Sequence, residues 1–249
     1  MQSIERAAAV LRLLAGGTGR LGCVEVANSL GLAKGTAHGI LRTLQEVGFV
    51  EQDRTTGRYL LGAGLLELTV PHQDPNELRS LALNWTDSLA ARSGESVRLG
   101  VLSSGSVLVA SHGFRPDDSE QVLDVGARRP AHACAMGKVL LAFDAGAVAL
   151  LQRRPLPAYT PRTVVAPRAL AAALAQVRRA GWAVDAEELE MGTAGIAAPV
   201  QDRGGLTVAA VGITGPVERL CDGSWAPRPA LLALVQDAAR AISRELATT

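Results

Sequence analysis

Three basic or potentially basic side chains recur at four-residue intervals in "GLAKGTAHGILRTLQEVGFV", residues 31–50. In a helix, Lys34, His38 and Arg42 would share one face, because residues four apart lie one turn above each other. Such side chains donate hydrogen bonds to phosphate oxygens and to base edges in the major groove of DNA. The spacing favours a helix that enters a DNA groove over the alternative, an ordinary charged face exposed to solvent.

Two glycines lie between these side chains, where a helix does not favour them. Gly39 costs roughly 1 kcal/mol relative to alanine in a helix interior, and close approach to DNA would offset that cost. The free amides at the helix N terminus also suit a phosphate. The residues of this helix expected to contact DNA are Lys34, Gly35, Thr36, His38, Gly39, Arg42 and Thr43.

The segments around this helix predict a winged helix-turn-helix. Ser3 is placed to cap a first helix, and a short second helix is expected over 24–30. Ala27 supplies the small residue and Gly31 the positive φ that a tight turn between two packed helices requires. "FVEQDRTTGRYLL" alternates around a glycine-containing turn, which predicts a β-hairpin wing with Arg54 and Arg58 near its tip.

The rest of the chain mixes helices and strands. We expect strand pairs in "SVRLGVLSSGSVLVASH" and "GIAAPVQDRGGLTVAAVGITG", and helices over "AHACAMGKVLLAF" and "PRALAAALAQVRRAGW". Asp74 and Glu77 have the spacing of a capping box where a new helix opens. The predicted fold class is mixed α/β, with a DNA-binding domain over 1–62, a linker over 63–75 and an α/β domain over 76–249.

The composition of the chain limits the classes of protein to which it can belong. Its 249 residues are 48% hydrophobic with a formal net charge of +1, enough for two ordinary domains. The first residues are charged and no later stretch is long and apolar enough for a membrane span, so we expect neither a signal peptide nor a membrane segment. Three distant cysteines favour reduced thiols in the cytoplasm. The histidines lack ligand-like spacing, so we expect no metal and no cofactor.

The DNA-binding segment is only weakly basic. Residues 1–62 contain seven Lys/Arg and five Asp/Glu, a difference of two positive charges. Affinity for DNA depends on how many phosphates are neutralised, so a monomer should bind weakly. A homodimer that reads a two-fold operator would supply the missing contacts.

Six stretches match the pattern of one known family: "SIERAAAVLRLLAG", "GLAKGTAHGILRTL", "GRYLLGAGLLEL", "GARRPAHACAMGKVLLAF", "YTPRTVVAPRALAAALAQVRRAGWAVDAEE" and "GIAAPVQDRGGLTVAAVGITGP". On these stretches the chain resembles the IclR family of bacterial transcription regulators. The resemblance implies a winged-helix domain, a linker helix, a GAF-like α/β effector domain, and homodimers that can pair into tetramers. Carried over by motif, the effector-binding residues are Ala131, Ala133, Met136, Gly137, Asp185, Glu188, Ile196, Gly212 and Thr214.

The resemblance also implies a function. We expect a regulator, with a repressor favoured, that binds double-stranded operator DNA and is released by a small-molecule effector. "GESVRLGVL", "FRPDDS" and "VERLC" resemble members that control glycerol utilisation, which implies glycerol 3-phosphate or glycerol. A small carboxylate or aromatic acid is the alternative effector. If the effector is phosphorylated, a cation should meet it; the candidates, each more typical of a solvated charge, are Arg98, Arg129, His132 and Lys138.

Enzymatic activity is not expected. Cys134 near His132 suggests a nucleophile and a base, but two residues apart on a helix they would face different ways. Gly137 and Lys138 lack the spacing of a phosphate-binding loop. An enzyme that retains a DNA-binding appendage remains the alternative from another class.

Overall fold

The computed structural model describes residues 2–16, 19–53, 55–62, 64–65, 75–117, 119–152 and 155–248. The chain divides into two compact units, Met1–Pro71 and His72–Thr249. Most of the predicted linker, including Asp74 of the capping box, lies outside the described residues, and so does Arg54.

The first unit contains the three predicted helices and the hairpin. Its elements are α1 (Gln2–Ala15), α2 (Cys23–Ser29), α3 (Lys34–Glu46), β1 (Val50–Gln52) and β2 (Tyr59–Leu61), the two strands being antiparallel. The expectation that Ser3 caps α1 is wrong, because the helix already includes Gln2.

Glycines set the ends of the second and third helices. Gly31 has φ of 62° between α2 and α3, and the amide of Leu32 donates to the carbonyl of Ala27 at 2.9 Å. Gly48, with φ of 77°, follows α3. Both glycines have a left-handed backbone conformation, which is sterically unfavourable for a residue with a Cβ. The apolar sides of the helices and the hairpin then meet in a core built around Val10, Leu14, Val26, Leu41, Leu44, Val50 and Tyr59.

The hairpin is joined to the segment that precedes α2. Leu21 pairs with Tyr59 through two backbone hydrogen bonds of 3.0 and 2.7 Å. Asp53 accepts hydrogen bonds from the amides of Thr55 and Thr56 at 2.8 and 3.1 Å, which closes the turn of the wing. These bonds lower the pKa of the Asp53 carboxyl, since they favour its charged form.

The second unit is built on one six-stranded antiparallel sheet, with strand order β5-β4-β3-β8-β7-β6. Its strands are β3 (Ser96–Ser103), β4 (Ser106–Gly113), β5 (Arg128–Pro130), β6 (Ala183–Ala186), β7 (Thr193–Gln201) and β8 (Thr207–Pro216). Its helices are α4 (Pro75–Ser93), α5 (Ala135–Phe143), α6 (Ala145–Leu151), α7 (Pro167–Ala180), α8 (Val217–Leu220) and α9 (Pro229–Thr248).

Helices cover both faces of this sheet. Leu99, Ile196 and Val211 belong to a core with α4 and α9. Ala197 and Ala210, their neighbours along the strands, pack instead with α5 and α7. Alternate residues of a strand point to opposite faces, so the α5 side carries the even positions of β3 and β8 and the odd positions of β7.

The segment 131–143 is not the single helix that its composition predicts. A 3₁₀ turn over Ala131–Ala133 is followed by Cys134 in an extended conformation, and α5 begins at Ala135. Asp185 of β6 accepts a hydrogen bond of 2.7 Å from the amide of Ala135, which satisfies one of the free donors at this helix end. No helix in the described ranges has the length and apolarity that a membrane span requires.

Candidate functional site

All seven residues of α3 expected to contact DNA are exposed, while Ala37, Leu41 and Leu44 on the opposite side are buried. The Arg42 side chain is 74% exposed and pairs with Glu46 at 3.0 Å. Such surface ion pairs are weak, so Arg42 can exchange this partner for a base or a phosphate. Thr43 donates its hydroxyl to the carbonyl of Gly39 at 3.1 Å, which leaves the oxygen as an acceptor.

The protein itself does not require the two glycines of α3. Among the described residues, no atom other than the nearby backbone of α3 itself lies within 4 Å of a Cβ built on Gly35 or Gly39, and neither residue has a positive φ. Alanine would therefore fit at both positions and would favour the helix. A requirement for glycine has to come from something that approaches this surface from outside.

The N terminus of α3 is open to an anion. Its N-cap residue, Ala33, has no side chain that can accept a hydrogen bond from the first-turn amides. Lys34 lies beside these amides and is exposed. Amides and a cation at a helix start favour a phosphate oxygen, so this end and the Arg42 end offer contacts to a DNA backbone and to base edges.

The wing holds its basic residue close to the protein. Arg58 donates to the carbonyl of Arg20 at 3.1 Å and to the carboxylate of Glu25 at 3.2 Å. Its side chain is still 46% exposed. Arg58 therefore fixes the wing against the start of α2, and any DNA contact by its guanidinium would have to compete with Glu25. Arg54, the other residue expected at the tip, lies outside the described residues.

A small cavity lies on the α5 side of the large sheet, with a volume of about 40 Å³. It is bordered by β5, the start of α5, β6 and the segment that follows it, and the strands β7 and β8. The residues that line it are Arg129, Cys134, Ala135, Met136, Asp185, Leu189, Glu190, Thr193, Gly195, Ile196, Ala197, Gly212, Ile213 and Thr214.

The residues predicted for effector binding divide into two groups. Met136, Asp185, Ile196, Gly212 and Thr214 line the cavity. Ile196 belongs to the core on the opposite face, so its backbone is the part that borders the cavity. The described lining does not include Ala131, Ala133, Gly137 or Glu188.

Gly137 and Glu188 are engaged elsewhere. A Cβ on Gly137 would lie 2.1 Å from the carbonyl oxygen of Ala131, so this glycine lets α5 approach the preceding turn. Glu188 forms a buried ion pair with Lys138, whose ammonium also donates to the carbonyl of Val184 at 3.2 Å. The expectation that Lys138 is a solvated charge is wrong, because both partners of this ion pair are buried.

Asp185 carries the most perturbed carboxyl of this cavity. Burial raises its pKa to about 7, against the lowering effects of the hydrogen bond from Ala135 and the charge of Lys138. Gly195 on β7 pairs with Asp185, and a Cβ there would lie 2.7 Å from the Asp185 carboxylate. The absence of a side chain at Gly195 leaves room for the Asp185 carboxyl. Near neutral pH this carboxyl can both donate and accept hydrogen bonds.

Cys134 and His132 do not form a nucleophile–base pair. Burial raises the pKa of the Cys134 thiol to about 12, which strongly disfavours the reactive thiolate. His132 Nε2 lies 2.9 Å from the carbonyl oxygen of Pro157, and its ring contacts Tyr159. Sequence reasoning placed both residues on one helix, whereas the helix starts only after Cys134.

Sequence reasoning missed much of the cavity lining. Thr193, Gly195 and Ala197 are contributed by β7, and Leu189 and Glu190 by the turn before it. The alternation of side-chain directions along β7 could have identified two of them, since Gly195 and Ala197 share the face of the sheet that packs against α5. The segment 187–190 has no such period, and only the sheet order brings it to the cavity.

Two family models match the chain. One, for the IclR helix-turn-helix domain, matches residues 3–54, and the other, for the bacterial transcriptional regulator IclR C-terminal domain, matches residues 73–244. The chain belongs to the IclR family. It is a DNA-binding transcriptional regulator with an effector domain, and mixed α/β in fold.

Relatives of this IclR-family chain include two named for their operon. The glycerol operon regulatory protein of Streptomyces coelicolor is 57% identical over 99% of this chain and 96% of the relative, and that of Streptomyces griseus is 55% identical over the same shares. The chain is also similar to a solved IclR homolog from Microbacterium hydrocarbonoxydans complexed with 4-hydroxybenzoate. The match covers 99% of this chain and 100% of the chain in that structure, with 25% identity and a TM-score of 0.63.

Proposed function

We propose that this IclR-family protein controls a glycerol-utilisation operon as a repressor. It binds a two-fold operator as a cytoplasmic homodimer, which can pair into a tetramer, and a small effector, glycerol or glycerol 3-phosphate, releases it. The observation that carries this proposal is the identity of 57% and 55% to two glycerol operon regulatory proteins along 99% of the chain.

The exposed face of α3 supports the DNA contacts in this proposal. Lys34 and the free amides beside it bind a phosphate, Arg42 and His38 reach base edges, and Gly39 permits close approach of the helix. Thr36 and Thr43 add hydroxyl contacts to the backbone. Arg58 contributes only where it leaves Glu25, so the recognition helix supplies most of the specificity.

The cavity in the second unit supports a small effector. Its volume of about 40 Å³ accommodates only a few water-sized groups. Glycerol needs less widening of this cavity than the ring of 4-hydroxybenzoate, the ligand named for one solved homolog. A regulator whose effector is an aromatic acid is therefore the second candidate. An enzyme with a DNA-binding appendage is disfavoured, because the raised pKa of Cys134 keeps its thiol protonated.

The mechanism is a coupling of two binding equilibria. An effector that binds one arrangement of the second domain better than the other shifts the dimer toward a state with different operator affinity. A coupling free energy of about 1–3 kcal/mol corresponds to a change of roughly 5- to 150-fold. A repressor needs the effector to favour the arrangement that binds DNA less tightly.

The decisive experiment replaces Arg42. We expect Arg42→Ala to weaken binding to the operator of a glycerol-utilisation operon about 5- to 150-fold, because one bidentate base contact contributes about 1–3 kcal/mol. Mobility shifts measure the affinity, and circular dichroism checks the fold. Arg12→Ala, which removes an exposed arginine from α1, is the matched control and should bind as the wild type does. Equal affinities for both variants would remove α3 from the reading of bases.

A further inference from the structure

A cluster of charged side chains lies on the cavity side of the sheet, on strands β3, β4 and β5 and on the loop before β5. Arg98 Nε and Arg129 Nη2 each lie 2.6 Å from the same oxygen, Oδ2 of Asp124. His112 Nδ1 lies 3.0 Å from the other oxygen of Asp124, and its Nε2 lies 2.8 Å from the hydroxyl of Ser96. Together these side chains form the Asp124 cluster.

The Asp124 cluster adjoins the effector cavity. Arg129 lines the cavity directly. Arg98 pairs with Gly212 across β3 and β8, and Gly212 pairs with Ala197 across β8 and β7. Cross-strand partners share a face of the sheet, and both Gly212 and Ala197 line the cavity. Arg98 therefore continues the same row of residues at the edge of the cavity.

The charges of this cluster do not balance. Two guanidinium groups share one carboxylate, and the Arg98 and Asp124 side chains are only 13% and 15% exposed. Within the part of the chain that the structure describes, Arg98 Nη1 and Arg129 Nε are buried without a hydrogen-bond partner, and Asp124 Oδ1 is near only the imidazole of His112. The pKa of Arg98 is lowered by burial and by the charge of Arg129. An unsatisfied buried donor on a charged group is costly, so the cluster has unused capacity for an anion.

The two other candidate cations already have hydrogen-bond or ion-pair partners within the protein. Lys138 is paired with Glu188 in the interior, and His132 contacts a backbone carbonyl. Arg128, next to Arg129 on β5, donates to the carbonyl and hydroxyl of Ser103. Among these five cations of the described chain, Arg98 and Arg129 alone combine proximity to the cavity with unpartnered nitrogen atoms.

We propose that Arg98 and Arg129 form an oxyanion subsite of the effector cavity, and that the carboxylate or phosphate of a small organic anion takes the place of Asp124 between them. The inference rests on the proposed function, because it concerns the effector of the same cavity. Paired guanidinium groups suit a planar carboxylate or a phosphate monoester, since each presents parallel N–H donors. The uncharged part of the ligand then lies toward Thr214 and Asp185.

Calorimetric titration of the full-length protein with three probes tests the subsite. Glycerol 3-phosphate and glycerate carry the two oxyanions, and glycerol carries neither. We expect at least one anion to bind tenfold or more tightly than glycerol, with an affinity that falls as sodium chloride is raised, while the weak binding of glycerol does not change. Comparison of the two anions shows whether phosphate or carboxylate is preferred.

Variants of Arg129 and Asp124 test whether this affinity comes from the proposed subsite. Arg129→Gln should weaken anion binding tenfold or more, and Arg129→Lys, which keeps the charge and loses the fork of donors, should weaken it less. Asp124→Asn should strengthen anion binding about threefold or more, because it removes the competing carboxylate. Arg128→Gln is the matched control and should bind as the wild type does.

Two results would overturn the subsite. One is glycerol binding as tightly as both anions in the wild-type protein, without salt dependence. The other is equal loss of anion affinity in Arg128→Gln and Arg129→Gln. If glycerol alone releases the operator in mobility shifts, and does so equally in Arg129→Gln, the proposed regulation stands and the oxyanion subsite is wrong.

Discussion

Gly39 and the burial of the Asp185 carboxyl each cost the folded protein stability. Gly39 lies in the interior of α3, where alanine would fit and would favour the helix. Asp185 is a buried carboxyl that faces a cavity, with Lys138, Glu188, Arg129 and Cys134 as its charged or titratable neighbours. In both cases a partner from outside, DNA or effector, provides a reason for the residue type.

Gly39→Ala should therefore move stability and DNA affinity in opposite directions. We expect the free energy of unfolding to rise by up to about 1 kcal/mol, because alanine loses less backbone entropy in a helix. Operator affinity should fall tenfold or more if DNA approaches the backbone here. Urea denaturation and mobility shifts on the same preparations measure both, and unchanged operator affinity would contradict the close approach.

Asp185 should make the stability of the second unit depend on pH. Its folded-state pKa of about 7 lies above the ordinary value of 3.8, so between these values the folded protein binds more protons than the unfolded chain. The free energy of unfolding should then decrease as pH rises through this window and level off above pH 7. The total effect is on the order of a few kcal/mol, since each pKa unit corresponds to roughly 1.4 kcal/mol.

The matched variant is Asp185→Asn, which can still accept the hydrogen bond from Ala135. We expect urea denaturation at pH 5 and pH 8 to show a smaller loss of stability in this variant than in the wild type. The difference between the two proteins isolates the carboxyl from the other titrating groups. Parallel pH profiles would show that Asp185 is ionised at its ordinary pKa in the folded state.

At the scale of elements, the junction between the turn at Ala131 and α5 depends on one glycine. A Cβ at position 137 would lie 2.1 Å from the Ala131 oxygen and 2.3 Å from its Cα. Gly137→Ala should destabilise the protein by about 1–3 kcal/mol, because the backbone has to move apart. Gly223→Ala is the control, since no atom of the described chain lies within 4 Å of a Cβ there and φ is not positive. Thermal unfolding that is equal in both variants would contradict this account.

The same junction shows how far sequence reasoning extends. Gly31, Gly48 and Gly181 have positive φ where the helix and turn rules place them. These rules are local, so the boundaries of α3 and α7 could be predicted closely. The start of α5 at Ala135 includes a hydrogen bond to Asp185, which is 50 residues away along the chain. Such a contact follows from the sheet order and not from the local pattern.

The two parts of the candidate site differ in the same way, one following from local sequence pattern and the other from strand register. The exposed face of α3 follows from a period of 3.6 residues, and the structure places every nominated residue of that helix on it. The effector cavity joins β5, α5, β7 and β8, so its lining depends on strand register. Asp124 could not be linked to Arg98 from the sequence, because nothing in the loop before β5 indicates which strand it faces.

The charge of the whole molecule sets how it can bind DNA. Residues 1–62 carry two net positive charges, and Lys34 and Arg42 are the strongly basic residues on the recognition face. Lys34 is the cation of each subunit that is proposed to meet a phosphate, so a dimer neutralises about two phosphates through α3, and the slope of log K against log salt is roughly −0.9 for each. A full operator should thus give a slope of about −1.8, and a single half-site one of about −0.9.

Titrations of the full-length protein between low and physiological salt, on operators with one or two half-sites, measure these slopes. The two-site operator should also lose affinity when five base pairs are inserted at its centre, because the half-sites then face opposite sides of the duplex. A tenfold or greater loss is expected. If both operators give the same slope and the insertion has no effect, the protein reads DNA one subunit at a time. The weak basic charge of 1–62 would then have to be compensated within a single DNA-binding unit, by cations outside α3.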